Sequence, residues 1–467
     1  MAAPAAIWQA KRMLSPRHLG PRARAVGLAA AAVAVLGGAA LLWLLRGEAD
    51  GGAERDAEAP LVGYTPGAPA GGSVARYETE YPAIPYAAGE RTDPVARLID
   101  RIEGGELELE YAAGRGYLDS LLAALEIDVS SQMLVYSQTS LQSRLINPRK
   151  PRAIYFNDDV YVAYVQDGPI EIAALDPNLG PVFYLLEQSP AAAPKFSAEL
   201  GRCLSCHDSY SLTGGGVPRF IVGSGYTGTT GGLVSHEGWI LISDRTPLKS
   251  RWGGWYVTGR HGNQVHLGNV VIESLDDFDR LEELRIGNVD TLETLVDVEP
   301  YPTNTSDIVA LLVLQHQTDV QNIITRLSWD ARSAPERRED PLEATVERLL
   351  RTMLFVDAVP YTEPISGRAD FVQQFTSRAK RDAQGRSLRD FDLGRRLFRH
   401  PLSYVIYSPA FDALPEAAKG MFYRRLREVL EGADASGDFA ALTAADRTAI
   451  REILRDTKPD FTATAAP

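Results

Sequence analysis

The spacing of hydrophobic and polar positions divides the chain into an apolar stretch, an aperiodic stretch and a long periodic part. Residues 25–45 carry no charged side chain, and residues 46–90 are rich in Gly, Ala, Pro and acidic residues without any apolar period. Beyond about residue 90, apolar positions recur at the spacing of a helix or of a strand. We therefore predict that residues 91–467 are globular, and their number is large enough for two subdomains.

The first predicted subdomain, residues 91–335, mixes helices with strands. Helices are predicted over residues 94–103 and 116–126, where apolar side chains repeat at helical spacing. Asn157-Asp158 lies between two β-rich runs and predicts a hairpin turn. Strands are predicted over residues 153–156, 159–165, 170–174 and 182–186, and residues 195–207 are predicted to return to helix after this sheet.

The second predicted subdomain, residues 336–467, is mainly helical. It follows the most clearly helical stretch of the chain, residues 306–327, in which His316 shares a face with apolar side chains. The predicted fold class is therefore α+β. It consists of a mixed sheet-and-helix domain followed by a mainly helical C-terminal region, behind an N-terminal transmembrane helix.

Residues 25–45 have the length and composition of a transmembrane helix. Twenty-one residues at ~1.5 Å each span about 31 Å, which is enough to cross the hydrocarbon core of a bilayer. Residues 1–24 contain five Lys or Arg and no acid, so this side is predicted to be cytoplasmic. A cleaved signal peptide is the alternative, but its apolar core is ~7–15 residues and ends at a small-x-small site. We predict an uncleaved anchor, with residues 46–90 as a flexible linker.

The candidate chemistry is concentrated in Cys203-Leu204-Ser205-Cys206-His207, which contains the only two cysteines of the chain. Cys-x-x-Cys-His is the attachment sequence of c-type haem. One helical turn brings both thiols to the two vinyl groups of the porphyrin, where each forms a thioether. The same turn leaves His207 beneath the iron as the proximal ligand. The sequence therefore predicts one covalently attached haem.

The motif has three other interpretations. A structural zinc site needs four N or S ligands, and the chain has no second cysteine pair. A redox dithiol is expected at the end of a strand in a βαβ unit, and its chemistry does not require the histidine that follows. A structural disulfide across two residues is strained and rare.

An electron-transfer haem commonly has a second axial ligand, which is most often His or Met. The first methionine after the motif is Met353, and its place in the apolar period of a predicted helix indicates core packing. His316 is the main candidate, with Gln315 and Gln317 as polar neighbours. His266 and His261 are the alternatives.

Net charge limits the partners. The chain has a formal net charge of −13, and removing the five basic residues of the tail leaves −18 for the remainder. Nucleic acid and anionic surfaces are therefore excluded as main partners, while a redox protein with a basic docking surface is favoured. Because bacterial c-type haem is attached outside the cytoplasm, the globular part is predicted to lie in the periplasm, anchored in the inner membrane.

Several further runs of the chain carry a resemblance, and they are Tyr155–Val162, Cys203–His207, Trp252–Gly259 with His261, His266–Asn269, His316-Gln317, and Asp392-Leu393 with Ser403–Tyr407. Through these residues, over about residues 130–430, the chain resembles a family of exported, single-haem, cytochrome c-like bacterial proteins. The resemblance implies haem c binding through Cys203, Cys206 and His207 and an envelope location, and it brings no established substrate.

The leading hypothesis is a membrane-anchored periplasmic monohaem cytochrome that transfers single electrons, with iron ligated by His207 and His316. The alternative is a haem-dependent oxidoreductase with an open distal site that acts on peroxide or a small oxyanion. In that case Arg260, His261 and His266 would act as acid, base or charge stabiliser.

Overall fold

The computed structural model describes residues 83–190, 194–209, 216–234, 237–333, 335, 338 and 340–463. The predicted basic tail (1–24), the predicted membrane span (25–45) and most of the predicted linker lie outside these residues. Within the described part of the chain, no helix is both long and apolar enough to cross a membrane.

A six-stranded antiparallel sheet forms the first half of the described chain. Its strands follow one another in sequence order, each paired with the next, as in a meander. The predicted hairpin at Asn157-Asp158 is confirmed, with the amide of Asn157 donating to the carbonyl of Val160 at 3.0 Å. The strands are β1 (Met133–Val135), β2 (Arg152–Phe156), β3 (Val160–Tyr164), β4 (Ile170–Asp176), β5 (Gly180–Leu186) and β6 (Phe196–Ala198).

Alternate residues of this sheet enter two different hydrophobic cores. In β1, Met133 and Val135 belong to one core, whereas Leu134 belongs to the other. In β3, Tyr161 faces the first core and Val160 the second. This is the period of two that a strand imposes. Because both faces are covered, the strands read as nearly continuous apolar runs.

The α-helices cover the sheet and form most of the C-terminal part. The longest, which we call the long helix (Ile308–Arg332), begins at Asp307, whose carboxylate accepts hydrogen bonds from the amides of Val309 and Ala310. The other α-helices of the described chain are Pro94–Glu103, Leu118–Ala124, Gly201–His207, Leu281–Leu284, Leu342–Met353, Ala369–Ser377, Pro409–Asp412, Glu416–Glu431, Ala444–Thr457 and Pro459–Ala463.

Short elements complete the described fold. Gly223–Ser224 pairs antiparallel with Ile240–Leu241, and Thr227–Gly228 pairs parallel with Val271–Ile272. The 3₁₀ turns are Val129–Ser131, Ser143–Leu145, Leu248–Ser250, Leu275–Arg280 and Tyr404–Tyr407.

The α+β class is confirmed, with the sheet in the first half and helices towards the C-terminus. The predicted helix over residues 195–207 is wrong in its first half, because Phe196–Ala198 pairs with β5 as an edge strand. Residues 83–90 are not linker, since Ile84 and Tyr86 are fully buried and the Tyr86 hydroxyl donates to the carbonyl of Pro181 at 2.6 Å.

The predicted boundary at residue 335 does not separate two cores. One hydrophobic core contains β1 side chains, the long helix and the C-terminal helices together, as Met133, Leu327 and Phe422 illustrate. The apolar faces on both sides of the boundary are therefore buried against each other.

Candidate functional site

The two cysteines and His207 lie on the helix Gly201–His207, which we call the motif helix. Its one buried side chain, Leu204, enters the same core as Leu200 just before it and Val217 after it. This packing fixes the rotation of the helix. As a result, Cys203, Cys206 and His207 all line one cavity on its other side.

This cavity, which we call the motif cavity, has a volume of about 580 Å³. That lies within the ~300–1,000 Å³ range of small-molecule and cofactor sites. One face of the sheet supplies its floor, and later segments and the long helix supply the other walls. The apolar lining residues include Ile154, Ala163, Ala173, Phe183, Phe220, Val222, Leu233, Trp239, Trp255 and Leu314.

Glycine allows one tryptophan of this lining to approach the main chain. A Cβ atom at Gly223 would lie 1.9 Å from the Trp239 ring, so no larger residue fits there. A Cβ atom at Gly253 would lie 2.7 Å from the carbonyl oxygen of Gly225. The glycines therefore bring the aromatic segments around Trp239 and Trp255 against the cavity.

The two ring nitrogens of His207 have different surroundings. Its Nδ1–H donates to the backbone carbonyl of Arg219 at 2.7 Å, and its ring packs against Phe183 with centroids 4.5 Å apart. Nε2 makes no hydrogen bond with any described residue. Burial lowers the pKa of His207, which keeps the imidazole neutral. A neutral imidazole anchored at Nδ1 is able to bind a metal ion through Nε2.

The two thiols differ in exposure. Cys203 is half-buried and Cys206 is exposed, and both are free. Burial, reinforced by Glu199 and Glu171, raises the pKa of the Cys203 thiol to about 12. A redox dithiol needs a depressed thiol pKa, so this environment disfavours that interpretation of the motif. The antiparallel meander before the motif helix also differs from a βαβ unit.

Metal binding by the described protein side chains alone receives no support. Within the described ranges, no group of three or more His, Cys, Asp or Glu side chains is arranged to hold a metal ion. A four-ligand zinc site at the motif is therefore not formed by these residues.

One buried arginine supplies a donor at the cavity wall. Arg152 pairs with Glu171 at 3.0 Å, and both residues line the motif cavity. The Nε–H of Arg152 is buried and makes no hydrogen bond with the described residues. Such a group costs ~1–3 kcal/mol unless a ligand or water accepts from it.

His316 lies elsewhere. It is fully buried, and it is absent from the described residues that line the motif cavity. Its Nδ1–H donates to Asp244 Oδ2 at 2.6 Å, and the hydroxyl of Ser403 donates to its Nε2 at 2.8 Å. The ring also stacks on Phe355 at 4.3 Å. Since both nitrogens are engaged, the geometry does not support His316 as the ligand opposite His207.

Asp244, His316 and Ser403 form a chain of hydrogen bonds that resembles a catalytic triad. The hydroxyl that would attack a substrate is buried, because Ser403 is 0% exposed. Burial raises the pKa of Asp244, but His316, Arg251 and Gln315 outweigh it, and the net pKa is lowered. These hydrogen bonds therefore connect a loop, the long helix and the turn after Ser403, and they support the fold from inside.

His261 and His266 pack on each other, with ring centroids 4.7 Å apart, but neither is among the described residues lining the motif cavity. Both are 4% exposed. Burial, together with His261 and Arg285, lowers the pKa of His266 to about 3. Arg260 lies at the surface in an ion pair with Asp290 at 2.8 Å. The catalytic set predicted for the open-site alternative is therefore not brought to the motif.

Several residues of the site were not predicted from the sequence. Gln315 and Gln317, which were expected to surround a ligand histidine, have other partners. Gln317 donates to the hydroxyl of Tyr161 and to the carbonyl of Asn157, and Gln315 donates to Asp244. Arg152, Phe183 and the carbonyl of Arg219 reach the motif from other parts of the chain. The only sequence signal for them is their place in or near the apolar runs of the predicted sheet.

No family model, curated protein or solved structure matches this chain.

Proposed function

We propose that this chain is a membrane-anchored periplasmic cytochrome that binds one haem c and transfers single electrons. The observation that carries the proposal is the motif cavity itself. Cys203, Cys206 and His207 share the wall of an apolar cavity of cofactor size. A CxxCH sequence buried in a core or spread on a flat surface would not fit a porphyrin.

The residues present fit a c-type haem. Cys203 and Cys206 would hold it through thioethers, and His207 would ligate iron through Nε2. When bound, the haem would supply a one-electron iron couple. The carbonyl of Arg219 orients the imidazole and raises its basicity, which is the usual outer-shell contribution to a ligand histidine. The buried Nε–H of Arg152 is suited to a carboxylate such as a porphyrin propionate.

Electron exchange with a partner is supported by the open side of the motif helix. Ser205 and Cys206 are exposed, and Leu141, which also lines the cavity, is 45% exposed. An apolar edge of this kind, on a strongly acidic protein, suits transient docking of a redox partner with a basic surface.

The envelope location remains a proposal from the sequence. It rests on the uncharged residues 25–45 behind a basic flank and on the need to export a protein that receives c-type haem. The inner membrane would keep the protein near other membrane-bound redox enzymes.

A second candidate function is favoured by one observation. Among the described residues that line the motif cavity, His207 is the only histidine and there is no methionine. Tyr161 and Thr318 also line it, and their hydroxyls donate to Gln321 and to the carbonyl of Leu314. An iron without a second strong ligand can bind a small molecule, so a haem-dependent oxidoreductase acting on peroxide or a small oxyanion is the alternative.

Potentiometric titration of the purified full-length protein, followed by carbon monoxide addition, tests the two candidates. An electron carrier should titrate as one reversible one-electron wave and should not turn over peroxide or nitrite. Ready binding of carbon monoxide together with turnover would establish the oxidoreductase instead. A protein that is exported with haem maturation and yet contains no haem would refute both.

A further inference from the structure

A second, smaller cavity lies beside the motif cavity. It has a volume of about 260 Å³ and shares Phe220, Val222 and Thr318 with its larger neighbour. Four guanidinium groups from separate segments line it, in a chain whose net charge is −13. These are Arg219, Arg245, Arg326 and Arg348. Asp319 is the one acid among the described lining residues.

The positive charge of this cavity is only partly neutralised. Arg326 pairs with Asp330 at 3.1 Å, and Arg348 lies 3.7 Å from Asp340. Arg245 is exposed and forms no ion pair with any carboxylate that the structure describes. Among the described residues that line the cavity, four are arginines and one is an acid. A cluster of this kind focuses a positive potential in a recess with apolar walls.

Hydrogen bonds to the main chain hold the walls of this cavity in place. Asn322 on the long helix accepts from the amide of Phe220 at 2.8 Å and donates to its carbonyl at 2.9 Å. One segment of the lining is thereby pinned to the helix that carries Thr318 and Asp319. Guanidinium groups placed around such a recess match the oxygens of an oxyanion in geometry and charge.

We propose that this cavity binds a small free oxyanion of the size and charge of sulfate or phosphate, through Arg245 and the neighbouring arginines. This goes beyond the proposed electron transfer. A carboxylate of a haem in the motif cavity could bind the same arginines in place of a free anion. The experiment below distinguishes these two ligands.

Asp319 makes the site sensitive to pH. Burial, and then the charge of Asp244, raises the pKa of Asp319 to about 6, while Arg245, His316 and Arg219 act in the opposite direction. Below this pH the carboxyl is neutral and does not repel the ligand. Above it, a carboxylate faces the anion. Binding should therefore be accompanied by proton uptake and should weaken by up to about tenfold from pH 5 to pH 7.5.

Isothermal titration of the purified full-length protein with sodium sulfate, against a sodium chloride background, tests the proposal. Sulfate stays a dianion across this pH range, so any pH dependence belongs to the protein. Arg245→Gln should weaken sulfate binding at least tenfold. Asp319→Asn, which keeps the side-chain shape, should remove the pH dependence and tighten binding at pH 7.5.

Arg424→Gln is the matched control, because Arg424 is also exposed and does not line the cavity. Its affinity should equal that of the wild type. If sulfate binding weakened equally in both arginine variants, the cause would be the change in net charge, and the proposed site would be refuted. No saturable sulfate binding, with a haem potential that shifts in Arg245→Gln, would assign the arginines to a haem carboxylate and overturn the proposal. The heat of sulfate binding is measured independently of haem content, so a haem-free protein would refute only the cytochrome.

Discussion

Two histidines of this protein, one half-buried and one fully buried, differ in what their ring nitrogens contact. His207 is half-buried, is tied at Nδ1 by a backbone carbonyl, and has an Nε2 with no partner among the described residues at the wall of a large cavity. His316 is fully buried and is tied at both nitrogens, by a carboxylate and a hydroxyl. An imidazole can bind a metal only through a nitrogen that the protein leaves open. The first environment therefore suits a metal ligand, and the second suits a structural support.

The supports around His316 connect distant parts of the chain. Asp244 comes from the loop before Leu248–Ser250, and its backbone carbonyl also accepts from the amide of Val359 at 2.9 Å. Ser403 caps the turn Tyr404–Tyr407 by accepting from the amide of Val405. Removing the imidazole would leave polar groups without partners in a packed core. The motif helix is held by the packing of Leu204, by the ion pair of Arg202 with Glu199, and by the hydrogen bonds of His207 with the backbone of Arg219.

The largest expected effect separates the two histidines by spectroscopy. His207→Ala should leave haem attached through the cysteines but remove the proximal iron ligand, and the optical spectrum of the haem should change. His316→Ala should leave the haem spectrum unchanged. A shift to high spin in His316→Ala, with no spectral change in His207→Ala, would show that His316 is the iron ligand.

The second effect is on stability, and here the larger change is expected for the His316 variant. His316→Ala should lower the free energy of unfolding by about 2–5 kcal/mol, because it opens a cavity and removes one buried hydrogen bond from each of Asp244 and Ser403. Ser403→Ala, which removes the hydrogen bonds of this hydroxyl with His316 and with the amide of Val405, should lower it by about 1–2 kcal/mol. Denaturant unfolding with circular dichroism measures both. A loss below 1 kcal/mol in His316→Ala would show that the buried hydrogen bonds are dispensable.

The smallest effect concerns His266, which lies beside His261 and whose Nδ1 makes no hydrogen bond with the described residues. Its pKa of about 3 in the folded protein lies below the ~6.5 of an unfolded chain, so the unfolded state binds a proton first as the pH falls. Its contribution is fully present above pH 6.5 and decreases below it, by roughly 2 kcal/mol at pH 5. Unfolding of His266→Gln between pH 8 and pH 4.5 should therefore show a flatter acid limb than the wild type. Parallel curves would show that His266 does not titrate as described.

Local patterns predicted much of the fold, and long-range contacts explain what they missed. The helix over residues 94–103 and the strands around Asn157-Asp158 follow from apolar periodicity and turn chemistry. β1 and β6 are three residues long, which is too short for a period to show. β6 was predicted as helix because its residues adjoin the motif helix, and only pairing with β5 makes it a strand.

The same division applies to the site. The motif is contiguous, so the sequence alone pointed to its chemistry. The partners of His316 lie 72 and 87 residues away, and an apolar helix face does not reveal what either ring nitrogen meets. The Arg219 carbonyl that orients His207 belongs to the backbone, which no side-chain pattern reports.

The proposed function depends on a haem that is covalently attached in the motif cavity. Intact-mass spectrometry of the full-length protein, produced with haem maturation and exported, tests it most directly. The wild type should weigh one haem more than its polypeptide, and the Cys203→Ala, Cys206→Ala double variant should have the mass of the polypeptide alone. A wild-type mass without haem, or a double variant that keeps the added mass, would contradict the claim.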